Sequence, residues 1–421
     1  MGRKVDFNFL QKVRSNKLFF KNFTYLSIVE VINVLAPFII LPYLITTLGK
    51  DYYGIVIFSQ AVISYFLIIQ NYGLNTLAIK EISTSVGDAN KLNETVSNVL
   101  TLKVLLFFVS FLLLYLTIQF IPFFYEYQLI LLFSMWVCIF DVIFPKWYFQ
   151  GVEKMKYITY VHFVSKVVAI LLIFVFINGP EDYIFVPLIY GIGAIISGGI
   201  SIILIVKQDK IRIIQPKMKG LKLLFKKATT FFISDVSVSV FANSNKVIIG
   251  SALGMTELSY YDLADKVIAA FKSVPLNIVR NSIFPRVAKT KNLRIVRNTS
   301  FIMGVYALIA VCFIFIFAPF MVRVLGGDDM FPSIDILRLF SLSIITTHIS
   351  NYYITVGLWS FGYEKIFRNL MIYATLVFLM LILLIWKLDI LSIYTLILAP
   401  ILVDIYLMTH TYLIYKKEKL F

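Results

Sequence analysis

The Lys and Arg residues of this chain are sorted onto alternate gaps between apolar segments, and this sorting constrains the fold. About twelve apolar segments of roughly 20–28 residues can each cross a ~30 Å hydrocarbon core as a helix. Every second gap is crowded with positive charge, whereas the other gaps hold only Lys50, Arg323 and Lys387 of the chain's 39 Lys and Arg residues. This pattern predicts an all-α polytopic membrane protein, and the positive-inside rule predicts that both termini are cytoplasmic.

The composition excludes a soluble domain, because 60% of the residues are hydrophobic and only 15% are charged. The net charge of +16 could indicate a nucleic-acid partner. However, the basic residues are spread over loops that we expect to face anionic lipid, so no nucleic-acid partner is expected. Cys138 and Cys312 lie in apolar segments, and no spacing of Cys or His predicts a disulfide, a metal site or a cofactor. The first apolar segment is too long for a cleaved signal peptide, so we interpret it as the first membrane helix.

The predicted spans fall into two sets of six around one basic segment. They are 23–48, 52–73, 97–122, 128–149, 157–178, 183–206, 228–253, 257–280, 299–324, 333–359, 367–386 and 390–414. The chain therefore divides into an N-terminal six-helix lobe at 1–206, a basic cytoplasmic linker at 207–227 and a C-terminal six-helix lobe at 228–421. The Leu and Lys pattern of the linker also fits a helix lying on the membrane surface.

A weak internal repeat relates the two lobes. Leu48-Gly49 closes helix 1, and Leu253-Gly254 closes helix 7 at the same offset of 205 residues that relates Glu30 to Asp235. Because each lobe has an even number of spans, both lobes enter the membrane from the same side. The predicted relation is thus a pseudo-two-fold axis along the membrane normal.

Four helices carry polar residues at helical spacing, so that each set lies on one side of its helix. The sets are Gln60, Ser64, Asn71 and Asn75 on helix 2; Asp235, Ser239, Asn243 and Lys246 on helix 7; and Asp262, Lys266, Ser273 and Arg280 on helix 8. Helix 1 has the weakest set, Glu30 and Asn33, with Pro37 seven residues after Glu30 and Asn33 about 60° off the line that joins them. Charged groups facing lipid are costly, so these sets should face protein or a wet cavity. Hydrogen bonding between helices is one interpretation. We favour a central aqueous cavity, because acids and cations recur on the repeat-related helix pairs.

The cationic side chains of the predicted cavity suit an anionic solute. They are Lys246, Lys266, Lys272 and Arg280. Phosphate and pyrophosphate are the obvious class, because Lys and Arg bind them through charge and several donors.

Two acids are candidates for ion coupling. Glu30 and Asp235 lie about seven residues into their helices, roughly 10 Å from the interface at 1.5 Å per residue. A carboxylate at that depth can carry a coupling proton or hold Na⁺. It can equally be the fixed partner of a nearby Lys or Arg, and both interpretations remain open.

Asp141 and Lys166 lie at similar depth in the predicted hairpin of helices 4 and 5, which turns near Glu153. This placement predicts a structural ion pair between them, with a role in transport as the alternative.

Two absences in the sequence narrow the class of protein. No GxxxxGK[ST] loop is present, so the chain is not expected to use ATP. No outward loop exceeds about a dozen residues, which leaves little room for the active site of a membrane polymerase or transferase. We therefore expect a transporter rather than an enzyme.

Several motifs resemble one family of transporters. The segments are LPYLITTLGKDYYGIVIFSQAVISYF at 41–66, NYGLNTLAIKEIS at 71–83, PKWYFQGVEKMKYIT at 145–159 and NKVIIGSALGMTELSYYDLADKV at 245–267, followed by Pro285. Together they are similar to the Wzx-type flippases of lipid-linked O-antigen repeat units, within the multidrug/oligosaccharidyl-lipid/polysaccharide exporter superfamily. Lys80 stands where the family often has Arg, and Asn71 where it often has Asp.

The resemblance implies two six-helix bundles in a V shape around a cationic cavity. It also implies alternating-access movement of an undecaprenyl-pyrophosphate-linked oligosaccharide from the cytoplasmic to the periplasmic leaflet of a bacterial inner membrane. The pyrophosphate would meet the four cations, and the sugars would meet Asn71, Asn75 and Asn243. The expected partners are this substrate, membrane lipid, H⁺ or Na⁺ and the polysaccharide polymerase machinery. A cation-coupled exporter of small molecules or drugs in the same superfamily is the alternative, although it would favour acids in the cavity.

Overall fold

The computed structural model describes residues 7–279 and 283–417, and the elements of these ranges are helices. The first half contains α1 Phe7–Asn71, α2 Leu74–Ser83, α3 Ala89–Phe120, α4 Pro122–Glu126, α5 Gln128–Ser134, α6 Trp136–Ile143, α7 Lys146–Gly151, α8 Met155–Phe176 and α9 Phe185–Ile203. The second half contains α10 Met218–Ile248, α11 Met255–Ile278, α12 Phe284–Thr290, α13 Leu293–Gly326, α14 Ser333–Asn351, α15 Glu364–Lys387 and α16 Ile393–Lys417. Turns of π-helix extend α9, α10 and α14 at Leu204–Gln208, Ile249–Leu253 and Tyr352–Trp359.

Two glycines break the helices at equivalent places in the two halves. Gly49 divides α1 into two arms, 7–48 and 50–71, and has φ 76° and ψ 164°. Gly254 separates α10 from α11 and has φ 114° and ψ 164°. Positive φ at these angles favours glycine, which has no Cβ to clash with the backbone. The matching conformations of Gly49 and Gly254 support the predicted repeat at these two positions.

Eight helical segments of the described chain are long and apolar enough to cross a membrane. One of them, Thr24–Asn71, contains two of the predicted spans because its kink at Gly49 does not interrupt the helical segment. The predicted spans 7, 8 and 10 are helical, on α10, α11 and α14, but these helices are more polar than the other spans. Large apolar side chains such as Phe108, Leu171 and Ile316 are exposed, as expected for helices that face lipid. The prediction of an all-helical, multi-pass membrane protein is confirmed.

The first helix lies at the centre of the packing. Contacts to α8, α10 and α11 surround α1, while α11, α13 and α16 pack around α14. The largest apolar core joins the two halves, with Leu41 and Phe58 on one side and Leu263 and Ile344 on the other. The contact between α1 and α11 is thus the main junction between the halves.

The segment between α9 and α10 lies along the first half. The backbone N–H of Arg212 donates to Asn93 Oδ1 at 3.0 Å, and that of Ile214 donates to Ser97 Oγ at 2.9 Å, so both bonds attach the segment to α3. Asp209, at its start, accepts from Tyr148 Oη at 2.9 Å and pairs with Lys154.

The helix α10 contacts both halves of the molecule. Near its start, Leu224 is buried in the core of the first half, and the Tyr72 ring stacks between Phe225 and Phe232 at centroid distances of 4.3 and 4.4 Å. Near its end, Asn245 Nδ2 donates to the carbonyl oxygen of Leu396 in α16 at 2.8 Å. One continuous helix therefore connects the two packing environments.

Candidate functional site

The second arm of α1 packs directly against the start of α11. A Cβ at Gly54 would overlap the carbonyl oxygen of Met255, so the two backbones approach as closely as glycine allows. Thr256 Oγ1 donates to Asp51, and Ser259 Oγ donates to the carbonyl oxygen of Lys50. These contacts lie beside the breaks at Gly49 and Gly254, on the side of the molecule that the charge pattern predicts to be periplasmic.

Deeper along the same junction, a network of charged groups joins α1, α10 and α11. Tyr53 Oη donates to Asp262 Oδ2 at 2.6 Å, and Lys266 Nζ pairs with that oxygen and donates to Tyr53 Oη at 2.9 Å. Lys246 Nζ lies 2.8 Å from Asp262 Oδ1 and 2.8 Å from Asp265 Oδ2. The side chain of Asp262 is 1% exposed, so its charge is stabilised by these partners rather than by water.

This network changes the interpretation of two predicted cations. Two ammonium groups face two carboxylates, so the formal charges of Lys246 and Lys266 are balanced within the protein. An anionic solute would have to compete with Asp262 and Asp265 for them. The sequence placed Asp262 on the same helical stripe as Lys266 but did not predict that it would neutralise both cations.

A cavity of about 280 Å³ lies beside the network and is lined by residues of α1, α6, α8, α9 and α11. Its α1 wall is largely apolar, with Pro37 and Leu41 among the contributing residues. The polar and aromatic side chains of the lining are Tyr53, Gln60, Trp136, Lys166, Tyr190 and Lys266. The cavity therefore combines ammonium groups, one amide and aromatic rings, which is a lining suited to a polar, anionic group carrying a ring.

The structure corrects the predicted ion pair between Asp141 and Lys166. Lys103 Nζ lies 2.5 Å from Asp141 Oδ2, and Asn75 Nδ2 donates to Asp141 Oδ1 at 3.2 Å. Among residues 7–279 and 283–417, Lys166 forms no ion pair, and its Nζ lies 5.9 Å from the centroid of the Tyr190 ring. Equal depth in a hairpin does not determine the direction in which two side chains point. The cation that pairs with Asp141 comes instead from α3, outside the hairpin.

The three predicted Asn contacts use their polar groups within the protein. Asn71 Oδ1 accepts from the backbone N–H of Asn75 at 3.1 Å, while the Asn75 amide bonds to Asp141. Asn243 Nδ2 donates to the carbonyl oxygen of Ser239 in its own helix at 3.3 Å. A role for these residues in sugar binding remains a prediction.

Lys272, another of the predicted cations, does not line the cavity. Lys272 Nζ lies 5.5 Å from the centroid of the Phe340 ring, which places it against α14 in the second half. Arg280 lies outside the described residues. Asp235 is half-buried near the middle of α10, distant in sequence from the described ion pairs of that helix.

A second, smaller depression separates α1 from α11 nearer the basic side. About 200 Å³ in volume, it is lined by Ser27, Glu30 and Val34 of α1 and by Ser273 and Asn277 of α11. Glu30 is exposed there. The prediction that Glu30 couples transport to an ion is untested, but its side chain does lie at the junction of the halves.

Several residues of the site had no distinctive signal in the sequence. Trp136 and Tyr190 are two aromatic residues in a chain with 25 Tyr and 39 Phe, so aromatic character could not single them out. Asp265 and Lys103 did carry a signal. Asp265 lies one residue before Lys266, and Lys103 is a lone cation in an apolar run, where an acid partner is required.

The fold is that of known membrane transporters. The chain superposes on a solved structure described as "Lipid II flippase MurJ, inward closed conformation" with a TM-score of 0.76 at 13% identity, covering 93% of this chain and 87% of the other. It also resembles an inward-facing multidrug resistance MATE family transporter of the MOP superfamily, with a TM-score of 0.69 at 14% identity over 91% of this chain and 98% of the other. The chain therefore shares the fold of these two structures.

The sequence assigns the chain to a family. Residues 19–291 match the family described as "Polysaccharide biosynthesis protein", and the chain belongs to it. A curated relative from Escherichia coli (strain K12), named "Putative O-antigen transporter", is 26% identical over 381 residues, which cover 88% of this chain and 91% of the relative. A relative of the same name from Shigella dysenteriae is 28% identical over 365 residues, covering 86% and 91%. The family resemblance predicted from the motifs is confirmed.

Proposed function

We propose that this protein is a flippase for an undecaprenyl-pyrophosphate-linked oligosaccharide, the O-antigen type of repeat unit. It would move this substrate from the cytoplasmic to the periplasmic leaflet of the bacterial inner membrane, with both of its own termini in the cytoplasm. Family membership and the two curated relatives support the substrate class. The observation that carries the proposal is the cavity at the junction of the halves, which presents Lys166 and Lys266 beside aromatic rings.

The proposed substrate path uses chemically different regions for its three parts. The pyrophosphate approaches Lys266 and the neighbouring Lys246, and the sequence adds Lys272 and Arg280 as further candidate contacts. Sugars contact the aromatic and amide groups of the cavity, while Asn71, Asn75 and Asn243 remain candidate contacts elsewhere on the path. The prenyl chain remains in the bilayer. It is joined to the bound headgroup through the groove between α1 and α11 that contains Glu30.

The volume of the cavity favours a cycle in which the halves separate during transport. About 280 Å³ lies just below the ~300–1,000 Å³ typical of small-molecule sites, so the cavity suits a headgroup rather than an oligosaccharide. We therefore propose alternating access, in which the halves rock apart and the contacts of Tyr53 and Gly54 with α11 break.

An ion gradient is proposed to drive the cycle. Glu30 lies exposed at the junction, and Asp235 lies half-buried in the helix that connects the halves. Either carboxylate is placed where binding of H⁺ or Na⁺ can favour one arrangement of the halves over the other.

Surface-polysaccharide complementation tests the proposed function. A strain lacking this gene should accumulate lipid-linked repeat units and lose its surface polysaccharide, and the wild-type chain should restore it. Lys266→Ala and Arg280→Ala should fail to restore it at equal membrane abundance, whereas Lys387→Ala, at an exposed helix end, should behave as wild type. A deletion strain that accumulates no lipid-linked repeat units but becomes drug-sensitive would refute the flippase and indicate the small-molecule exporter.

A further inference from the structure

Lys166 is the uncompensated cation of the cavity. The other lysine of the lining, Lys266, shares the carboxylate of Asp262 with Lys246. By contrast, Lys166 forms no ion pair with any of the described side chains and contacts the face of the Tyr190 ring, with 5.9 Å between Nζ and the centroid. A ring face attracts an ammonium group but carries no formal charge, so a unit of positive charge is left at the cavity wall.

An ammonium group at this depth is costly unless an anion accompanies it. Lys166 lies near the middle of α8, eleven residues from its start at Met155 and ten from its end at Phe176. Lys103, in the same half, is fully buried and has Asp141 as its partner. Charged side chains within membrane spans are normally paired or line a functional pathway, and Lys166 meets the second condition because it faces the cavity.

The aromatic wall next to Lys166 is built by a close approach of two helices. The rings of Trp136 on α6 and Tyr190 on α9 are stacked, with centroids 5.9 Å apart and planes at 21°. A Cβ at Gly191 would lie 2.9 Å from the Cβ of Trp136, so glycine at this position allows α9 to press against the indole. Gln60 adds an amide, which can both donate and accept hydrogen bonds.

We propose that Lys166 binds the phosphoryl group attached to the sugar, and that Trp136 and Tyr190 bind the apolar face of that sugar. This subsite lies in the first half of the chain, apart from the predicted cations of α10 and α11, and it rests on the proposed function for the identity of its ligand. The cavity is large enough for a phosphoryl group with one sugar ring. Recognition of the lipid-linked headgroup is then independent of the number of sugars that follow.

Binding to the purified full chain in detergent tests the subsite with three soluble probes: inorganic pyrophosphate, N-acetylglucosamine 1-phosphate and glucuronate. Lys166→Met removes the charge with little change in volume, and should weaken binding of both phosphorylated probes about tenfold or more, the loss of one charge-assisted hydrogen bond. Lys166→Arg should bind both within about threefold of wild type. Lys387→Met is the matched control and should bind all three probes as wild type does.

The variant Trp136→Leu tests the contribution of the sugar to binding separately from that of the phosphoryl group. We expect it to bind pyrophosphate within about threefold of wild type but to bind the sugar phosphate about tenfold more weakly. Glucuronate binding that depends on Lys166 and exceeds that of both phosphorylated probes would overturn the phosphoryl assignment. Equal binding of pyrophosphate by wild type and Lys166→Met would overturn the subsite altogether.

The binding and export measurements can refute the subsite and the proposed function separately. If the wild-type chain restores surface polysaccharide but Lys166→Met binds and exports normally, the function stands and the subsite is wrong. If the wild-type chain binds the sugar phosphate through Lys166 but does not restore surface polysaccharide, the subsite stands and the proposed function is wrong.

Discussion

Asp262 is the residue on which the junction network depends most. One carboxylate, 1% exposed, accepts from Tyr53 and pairs with both Lys246 and Lys266. Its loss would leave two ammonium groups with Asp265 as their remaining acid in the network. Because a buried charge without its partner is strongly destabilising, Asp262 should matter more for folding than any cation it holds.

We predict that Asp262→Asn lowers the free energy of unfolding by about 3–5 kcal/mol. Asp265→Asn is the matched control, since its side chain is 30% exposed and, among the described side chains, pairs only with Lys246. That control should cost about 1 kcal/mol or less, as partly exposed pairs do. Thermal unfolding of the two purified variants in the same detergent gives the comparison, and equal melting temperatures would contradict the proposed role of the network.

Single residues also show which contacts the sequence could and could not predict. The stripe containing Asp262 and Lys266 predicted that they lie on one side of α11, because spacing at a helical period fixes direction around one helix. The partner of Asp141 was predicted incorrectly, because spacing within one hairpin carries no information about α3. The exposure of Lys166 to a cavity depends on the approach of α6 and α9, which one sequence does not specify.

At the scale of elements, α10 is a helix that packs against both halves. Its first turns belong to the core of the first half, where Leu224 is 8% exposed and Lys227 Nζ lies 2.9 Å from Glu81 Oε1. Its last turns carry Lys246 and Asn245, which contact α11 and α16. Movement of one half relative to the other must therefore bend α10 or detach its first turns.

We predict that Leu224→Ala destabilises the protein by about 2–5 kcal/mol, because it leaves a cavity between α10 and the first half. Leu223→Ala is the control on the adjacent position, where the side chain is 57% exposed, and it should change stability by less than about 0.5 kcal/mol. The melting temperatures of the two variants, measured in the same detergent, give the comparison. Similar losses in both would mean that the first turns of α10 are not held against the first half.

The elements were largely predictable, and the exceptions have local causes. The predicted ends of helices 1 and 7 coincide with Gly49 and Gly254, because glycine at positive φ marks a break that sequence shows directly. The predicted span 128–149 is instead three helices, broken at Met135 and before Lys146. Pro145, which lacks an N–H, explains the second break, but nothing in the sequence marks the first.

At the scale of the whole molecule, the proposed transport cycle requires that the contacts between α1 and α11 open. Gly54 touches the backbone of Met255, and Asp51 accepts from Thr256 across the same contact. These groups belong to different halves and lie on the predicted periplasmic side. Alternating access demands that they separate in each cycle.

We predict that locking this contact stops transport reversibly. In a chain with Cys138→Ala and Cys312→Ser, the double substitution Asp51→Cys with Thr256→Cys should cross-link with a short thiol reagent. Substrate movement should then fall to the protein-free level and return on reduction, whereas each single-cysteine chain should be unaffected by the same treatment. Undiminished transport by the fully cross-linked protein would contradict alternating access at this junction.

The overall architecture followed from the sequence only in part. Alternating charge between apolar segments predicted the helical membrane class, and the motifs predicted the family, since both are properties of local sequence. The balance of charge at the junction was not predictable, because it depends on which carboxylates of α11 face α10. For the same reason, the sequence predicted a net-cationic cavity. In the structure, carboxylates compensate Lys246 and Lys266, and Lys166 is the uncompensated lysine of the lining.

The most direct test of the account is the transbilayer movement of a lipid-linked oligosaccharide in vesicles containing the purified protein. Undecaprenyl-pyrophosphate carrying a fluorescent sugar would be placed in one leaflet, and its appearance in the other followed by quenching from outside. We predict movement well above that of protein-free vesicles, dependent on Lys266 and on an applied H⁺ or Na⁺ gradient. Movement equal to that of protein-free vesicles under every gradient would contradict the proposed flippase.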